Sequence, residues 1–258
     1  MFGIKKRRRE RLKAQPFPPS WLEVIERDVP YYACLPPDDR AELLGHTQVL
    51  LAEKNYEGCG GLTLTDDIKV IIAAHASVLL LHRDTDYYPC LVSILVYPAA
   101  FVVEAKTRGP GGYMLEHQET HAGEAWQRGV VILAWDGMLQ SVHDAHDGFN
   151  VAFHEFAHQL DMENGQADGF PCLNDPALAK VWPKVLGDAY TQLCRHIEQG
   201  RPTLLGDYAA TSPAEFFAVA TECFFEIPGK MRKQHPALYA VLGSFYRQDP
   251  GALDAGGG

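Results

Sequence analysis

No two of the six cysteines form a Cys-x-x-Cys pair: they stand apart at positions 34, 59, 90, 172, 194 and 223. A thiolate zinc cage and a redox dithiol are therefore not suggested, and reduced, mostly buried thiols are expected, as a reducing compartment keeps them. Long apolar runs are missing too. The most apolar stretch, residues 91–103, is too short to span a bilayer and contains Pro98, so it reads as a buried strand pair. No apolar segment follows the basic N-terminus as it would in a secretory signal, and a cytoplasmic protein is expected. Phosphate-cradling glycine loops, a Gly-x-Ser-x-Gly elbow and internal repeats are all absent, which leaves nucleotide chemistry, serine hydrolysis and solenoid architectures unsupported.

Positive charge is scarce outside one segment. The chain of 258 residues carries a net charge of −10, yet residues 1–13 alone hold seven basic residues against one acidic, which leaves the remainder at −16. An acidic body argues against a broad nucleic-acid footprint, because phosphate binding needs a basic surface on the fold itself. Residues 1–18 are expected to be a disordered basic arm, residues 19–250 a single domain, and residues 251–258 a flexible tail. A monomer is expected.

What is present is enough apolar residue, 47% of the chain, to bury a sizeable core. Leu43, Leu44, Leu50 and Leu51 recur at helical spacing in residues 41–54. Thr65-Asp-Asp67 reads as an N-cap with an acidic first turn, opening a helix over residues 68–81 that is apolar nearly all round. Strand-like runs follow at 90–96, 100–104 and 130–134, with a Gly/Pro-rich loop at 108–112; helices are expected at 149–162, 175–197, 213–225 and 236–246. Strands early and helices late give an α+β fold class.

The chemistry is concentrated in Phe149-Asn-Val-Ala-Phe-His-Glu-Phe-Ala-His-Gln-Leu-Asp161. His154 and His158, four apart on a helix, can reach one cation together, while Glu155, one step on, can face a water there. Zinc hydrolysis needs this division of labour: neutral imidazoles hold the ion, and a free carboxylate takes the water's proton as it attacks a carbonyl. Random placement of the same residue types gives about 0.03 occurrences of the pattern in a chain of this composition. The apolar flanks Val151, Phe153, Phe156 and Leu160 sharpen it, because unliganded histidines and a glutamate are costly to bury.

A catalytic site needs a third protein ligand, and two glutamates compete for the place. Glu215 and Glu222 stand seven apart, two turns along one helical face, and spacing alone does not rank them. Ser212-Pro-Ala-Glu215 is also a capping box, which gives Glu215 a purely local alternative. Tyr208, seven residues earlier, could donate its phenolic proton to an oxyanion or simply belong to the core. His117-Gln-Glu-Thr-His121 repeats the four-residue histidine spacing, but its glutamate is misplaced and its surroundings polar, so it reads as a loop; His143-Asp-Ala-His146 reads as linker polarity.

Several segments, taken in order, go beyond this motif. Tyr97-Pro98 with Phe101-Val-Val103, Trp126 before Gly129-Val-Val-Ile-Leu133, Gly148-Phe-Asn150, the metal helix, Asp207-Tyr-Ala-Ala and Ser212-Pro-Ala-Glu-Phe-Phe-Ala-Val219 together resemble the Mlc titration factor A family of bacterial zinc peptidases. The resemblance runs from about residue 60 to 250. It implies a zincin-like fold similar to the catalytic domain of anthrax lethal factor, with one zinc ion per chain, Glu215 rather than Glu222 as third ligand beside His154 and His158, Tyr208 as the active-site tyrosine, and Glu155 kept as base. It further implies aminopeptidase-like action on small peptide substrates. The alternative it carries is a regulatory binding protein that sequesters a transcriptional repressor, since the enterobacterial member binds the glucose repressor Mlc. Under the peptidase reading, the run at 130–134 is expected to offer an edge to an extended peptide.

Overall fold

The computed structural model describes the backbone of residues 2–99, 101–108, 114–121, 123–126 and 129–253. Four helices come first: α1 (Phe2–Lys13), α2 (Pro19–Asp28), α3 (Pro30–Cys34) and α4 (Pro37–Glu53). Strand β1 (Asn55–Gly58) leads through α5 (Asp66–Val78) to β2 (Ser93–Tyr97), β3 (Phe101–Arg108), β4 (Met114–His121), β5 (Gly123–Trp126) and β6 (Val130–Ala134). Among the described residues seven α-helices follow: α6 (Trp135–His143), α7 (Val151–Asp161), α8 (Pro176–Glu198), α9 (Pro213–Glu226), α10 (Pro228–Gln234), α11 (Pro236–Tyr246) and α12 (Pro250–Leu253). The fold is α+β. Among the described residues no helix is long and apolar enough to cross a membrane.

Most of these helices open on local signals already present in the sequence. Thr65 Oγ1 accepts the Ile68 N–H at the start of α5, Asn150 Oδ1 that of Phe153 at α7, and Ser212 Oγ that of Glu215 at α9. Proline occupies the first turn of α4, α8 and α11, where its missing N–H has no helical partner to lose.

The sheet runs β1-β2-β6-β5, with β1, β2 and β6 parallel and β5 antiparallel to β6; β3 and β4 form a separate antiparallel pair. Strand β6 therefore lies inside the sheet, and the edge expected of it belongs to β5. The segment containing His117 and His121 is strand β4, not a loop.

The basic N-terminus departs most from expectation. Residues 2–13 are a helix laid against α4, and the anchor is Arg9, only 8% exposed, whose guanidinium reaches both carboxylate oxygens of Glu53 and the side chain and carbonyl of Asp86. It also lies over the Tyr87 ring at 4.5 Å. A guanidinium with five donors in a planar fork can be buried when carboxylates meet it this way, so the segment is ordered rather than a solvated arm.

The core is one continuous cluster in which α7 is central: every residue from Val151 to Asp161 is buried. Phe153 and Phe156 pack against Phe225 and Tyr88, and on the far side Trp182, Phe217 and Phe245 form a second aromatic group. Side chains of this size contribute about 1.5–3 kcal/mol each when fully buried, so α7 is held by its surroundings rather than by helix propensity.

Candidate metal centre

Helices α7 and α9 cross in the core and bring three donors to one point. His154 Nε2 is 3.2 Å from His158 Nε2 and 3.0 Å from Glu215 Oε2, and His158 Nε2 is 3.4 Å from the same oxygen. A tetrahedral ion with ligand bonds of about 2.0–2.1 Å sets its ligands about 3.3–3.4 Å apart, close to the observed triangle. Glu215 Oε2 is buried and makes no hydrogen bond of proper geometry despite these neighbours, as an oxygen turned toward a shared cation would be. Among the described residues these three form one of two groups of potential ligands; the other, Asp39, Glu42 and His82, is an ion-paired surface cluster in which the two carboxylates take opposite nitrogens of the His82 ring.

The charge balance points the same way. Burial alone would push the His154 imidazole toward neutrality, but Glu222 and Glu215 around it outweigh that and hold it well above the ordinary histidine range. Burial would raise Glu215, and the two imidazoles outweigh it to hold that carboxyl well below the usual range. The pocket thus favours positive charge at its centre, which a divalent cation supplies more completely than a proton. Residues, distances and electrostatics fit a metal.

The two competing glutamates turn out to divide the His154 ring between them. Glu215 takes the Nε2 side, and Glu222 Oε1 stands 2.7 Å from Nδ1. Glu222 therefore accepts the Nδ1–H and fixes the tautomer that leaves an Nε2 lone pair facing Glu215 and His158. The capping box at Ser212 is realised only in its backbone half, because the Glu215 carboxylate is spent on the histidines.

Behind Glu222 lies a network the motif does not reveal. Glu222 Oε2 accepts the Asn150 N–H at 2.6 Å, and Asn150 Nδ2 donates to Glu226 Oε1 at 2.8 Å. The one residue Asn150 thus caps α7 and ties it to α9. A signal existed, since Glu226 follows Glu222 by one turn, but nothing in the spacing links either to Asn150.

Burial pushes the Glu226 carboxyl up to about 9, so the folded protein holds a proton there that the unfolded chain releases near 4.5. Its contribution to stability is complete below that lower value and is lost progressively as pH rises toward 9. Glu226→Gln, which keeps the acceptor for Asn150 without an ionisable group, removes this loss. We expect the variant's stability relative to the wild type to rise by up to about 1.4 kcal/mol per pH unit between pH 5 and 8, measured by chemical denaturation at each pH.

The end of α7 is tied to the start of α9 as well. Asp161 Oδ2 accepts the Gly169 N–H at 2.8 Å, and the Gly169 carbonyl accepts from Trp182 Nε1. Gly169 has φ +77°, and a Cβ there would lie 2.6 Å from the Pro213 carbonyl oxygen, so only glycine lets the loop press on the turn that presents Glu215.

Glu155 is 1% exposed on α7, and Tyr208, 55% exposed, has its ring centroid 5.9 Å from that of His154. Both border a cavity of about 410 Å³ that His154 also lines. His143 ends α6, and His146 sits in the following turn with Nδ1 3.3 Å from the Glu226 carbonyl; neither belongs to the triangle.

A family model described as glucose-regulated metallo-peptidase M90 matches residues 4–247. An uncharacterized protein of Synechocystis sp. is 41% identical over 245 residues, covering 94% of this chain and 89% of its own length. Proteins of Yersinia pestis and Yersinia pseudotuberculosis, each named Mlc titration factor A, are 30% identical over 236 residues, covering 90% of this chain and 85% of theirs.

Proposed function

The chain belongs to the glucose-regulated metallopeptidase M90 family, and from that premise we propose that it is a zinc-dependent peptidase with His154, His158 and Glu215 as its ligands. The observation that carries this reading is the triangle of three donors facing one point beside a cavity that Glu155 borders. Three protein ligands with an open fourth position distinguish a catalytic zinc site from a structural one. Two histidines and a carboxylate also suit zinc better than a hard cation such as magnesium. A zincin-like architecture, similar to the catalytic domain of lethal factor, accords with a sheet whose antiparallel edge strand β5 runs beside α7.

In this reading the bound cation supplies Lewis-acid polarisation of the substrate carbonyl and makes water acidic enough to attack near neutral pH. Glu155 accepts a proton from the attacking water and passes it to the amide nitrogen as that group leaves. Tyr208 donates its hydroxyl hydrogen to the oxygen on which negative charge develops. Glu222 holds the His154 ring in place through Nδ1. Among the described residues β5 pairs with β6 alone, and its other edge is available to an extended peptide through backbone hydrogen bonds. Aminopeptidase-like action on short substrates belongs to the same proposal.

A second reading, a protein that binds a transcriptional repressor, draws on the name of the Yersinia relatives. Metal analysis run together with peptide hydrolysis separates the two. One zinc per chain and cleavage that stops on chelation support the peptidase; bound zinc with no cleavage of any peptide favours the binding protein.

A further inference from the structure

We propose that the cavity beside the metal centre is a side-chain subsite that selects a large apolar residue next to the scissile bond. The inference rests on the peptidase reading and names the substrate class of that site. The cavity, about 410 Å³, falls in the size range of whole-ligand pockets, about 300–1,000 Å³, and a methyl group would leave most of it empty. His154, Glu155 and Tyr208 line it, which puts it in direct reach of a residue flanking the bond to be cut.

Most of its other lining is apolar: Phe149, Val151, Leu204, Leu205, Val219 and Cys223. Phe149, 38% exposed, gives the wall an accessible aromatic face. Among the described residues no lysine or arginine lines the cavity, so none of them offers a partner to a substrate carboxylate, while Glu155 beside it repels one.

Two of the polar residues in the walls, Glu222 and Thr203, are already engaged. Both oxygens of Glu222 accept hydrogen bonds, from His154 and from the Asn150 N–H, and Thr203 Oγ1 accepts the Gly206 N–H. A polar substrate side chain entering here would leave water and find little to replace it. An apolar one meets matching walls, each buried CH₂ adding to affinity. This goes beyond the action on small peptide substrates that the family resemblance implies.

The test is binding of dipeptide amides with free N-termini, X-Ala-amide and Ala-X-amide with X as Ala, Leu, Phe, Glu or Lys, to zinc-loaded Glu155→Gln protein by calorimetry. We expect Leu and Phe to bind at least tenfold tighter than Ala, Glu or Lys in one of the two series. Adding Val219→Phe, or Leu204→Phe should the first variant melt early, fills the cavity and brings that ratio below threefold. Equal binding across X, or a ratio that survives both fillings in folded protein, overturns the subsite. Hydrolysis of the tightest peptides by the zinc-loaded wild type is read in parallel. Its absence while the Leu and Phe preference persists overturns the peptidase reading instead and keeps the cavity as an apolar peptide-binding subsite.

Discussion

Glu155→Gln lowers peptide turnover by about 10²–10⁴-fold and leaves the zinc content unchanged, the span that a positioned general base contributes to a proton-transfer step. The substitution keeps the volume and polarity of a side chain that is 1% exposed, so the packing of α7 survives it. What it removes is the ability to accept a proton. Glu155 is not one of the three converging donors, which is why metal content and turnover should separate in this variant. The check is kcat on a cleavable peptide together with metal analysis of the same preparation. Retained turnover would send the proton to another group and sink the assignment. Loss of metal would mean that the carboxylate helps hold the ion after all.

The parts of this site that were legible in the sequence are those fixed by a single helix. Two histidines four apart on α7 must share a face, so His154 and His158 could be paired before any tertiary contact was known. Caps at Thr65, Asn150 and Ser212 are equally local, and the helices they open lie within three residues of their expected bounds.

Pairings across the chain were not legible. Glu215 and Glu222 could not be ranked by spacing because both face His154, one at each ring nitrogen, and only the crossing of α7 and α9 decides which is which. Strand β6 looked like an edge because β5 is four residues long and its antiparallel register against β6 is a tertiary fact. The N-terminal charge run read as a disordered arm because its partners, Glu53 and Asp86, lie 44 and 77 residues away from Arg9. In each case the sequence held the residues but not the partner.

The second large effect is expected at Glu215. Glu215→Ala lowers zinc affinity by well over the roughly 10–100-fold that loss of an outer hydrogen-bonding partner costs. The substitution deletes one corner of a triangle whose sides are 3.0, 3.2 and 3.4 Å and removes the carboxylate that balances the ion's charge there. Two imidazole nitrogens remain, still held in register by Glu222 at Nδ1 of His154, so weak binding persists rather than vanishing. The fold should hold, because the Ser212 cap depends on the Glu215 backbone N–H and not on its side chain. In the metal-free protein the same change has the opposite sense for a proton: with one of its carboxylates gone, His154 moves down from its raised position and is more readily neutral. Competition with a chelator measures the first effect, and the imidazole signals of the metal-free protein followed against pH measure the second. Wild-type zinc affinity in Glu215→Ala would transfer the third-ligand role to another residue, and Glu222 could take it only by giving up Nδ1 of His154.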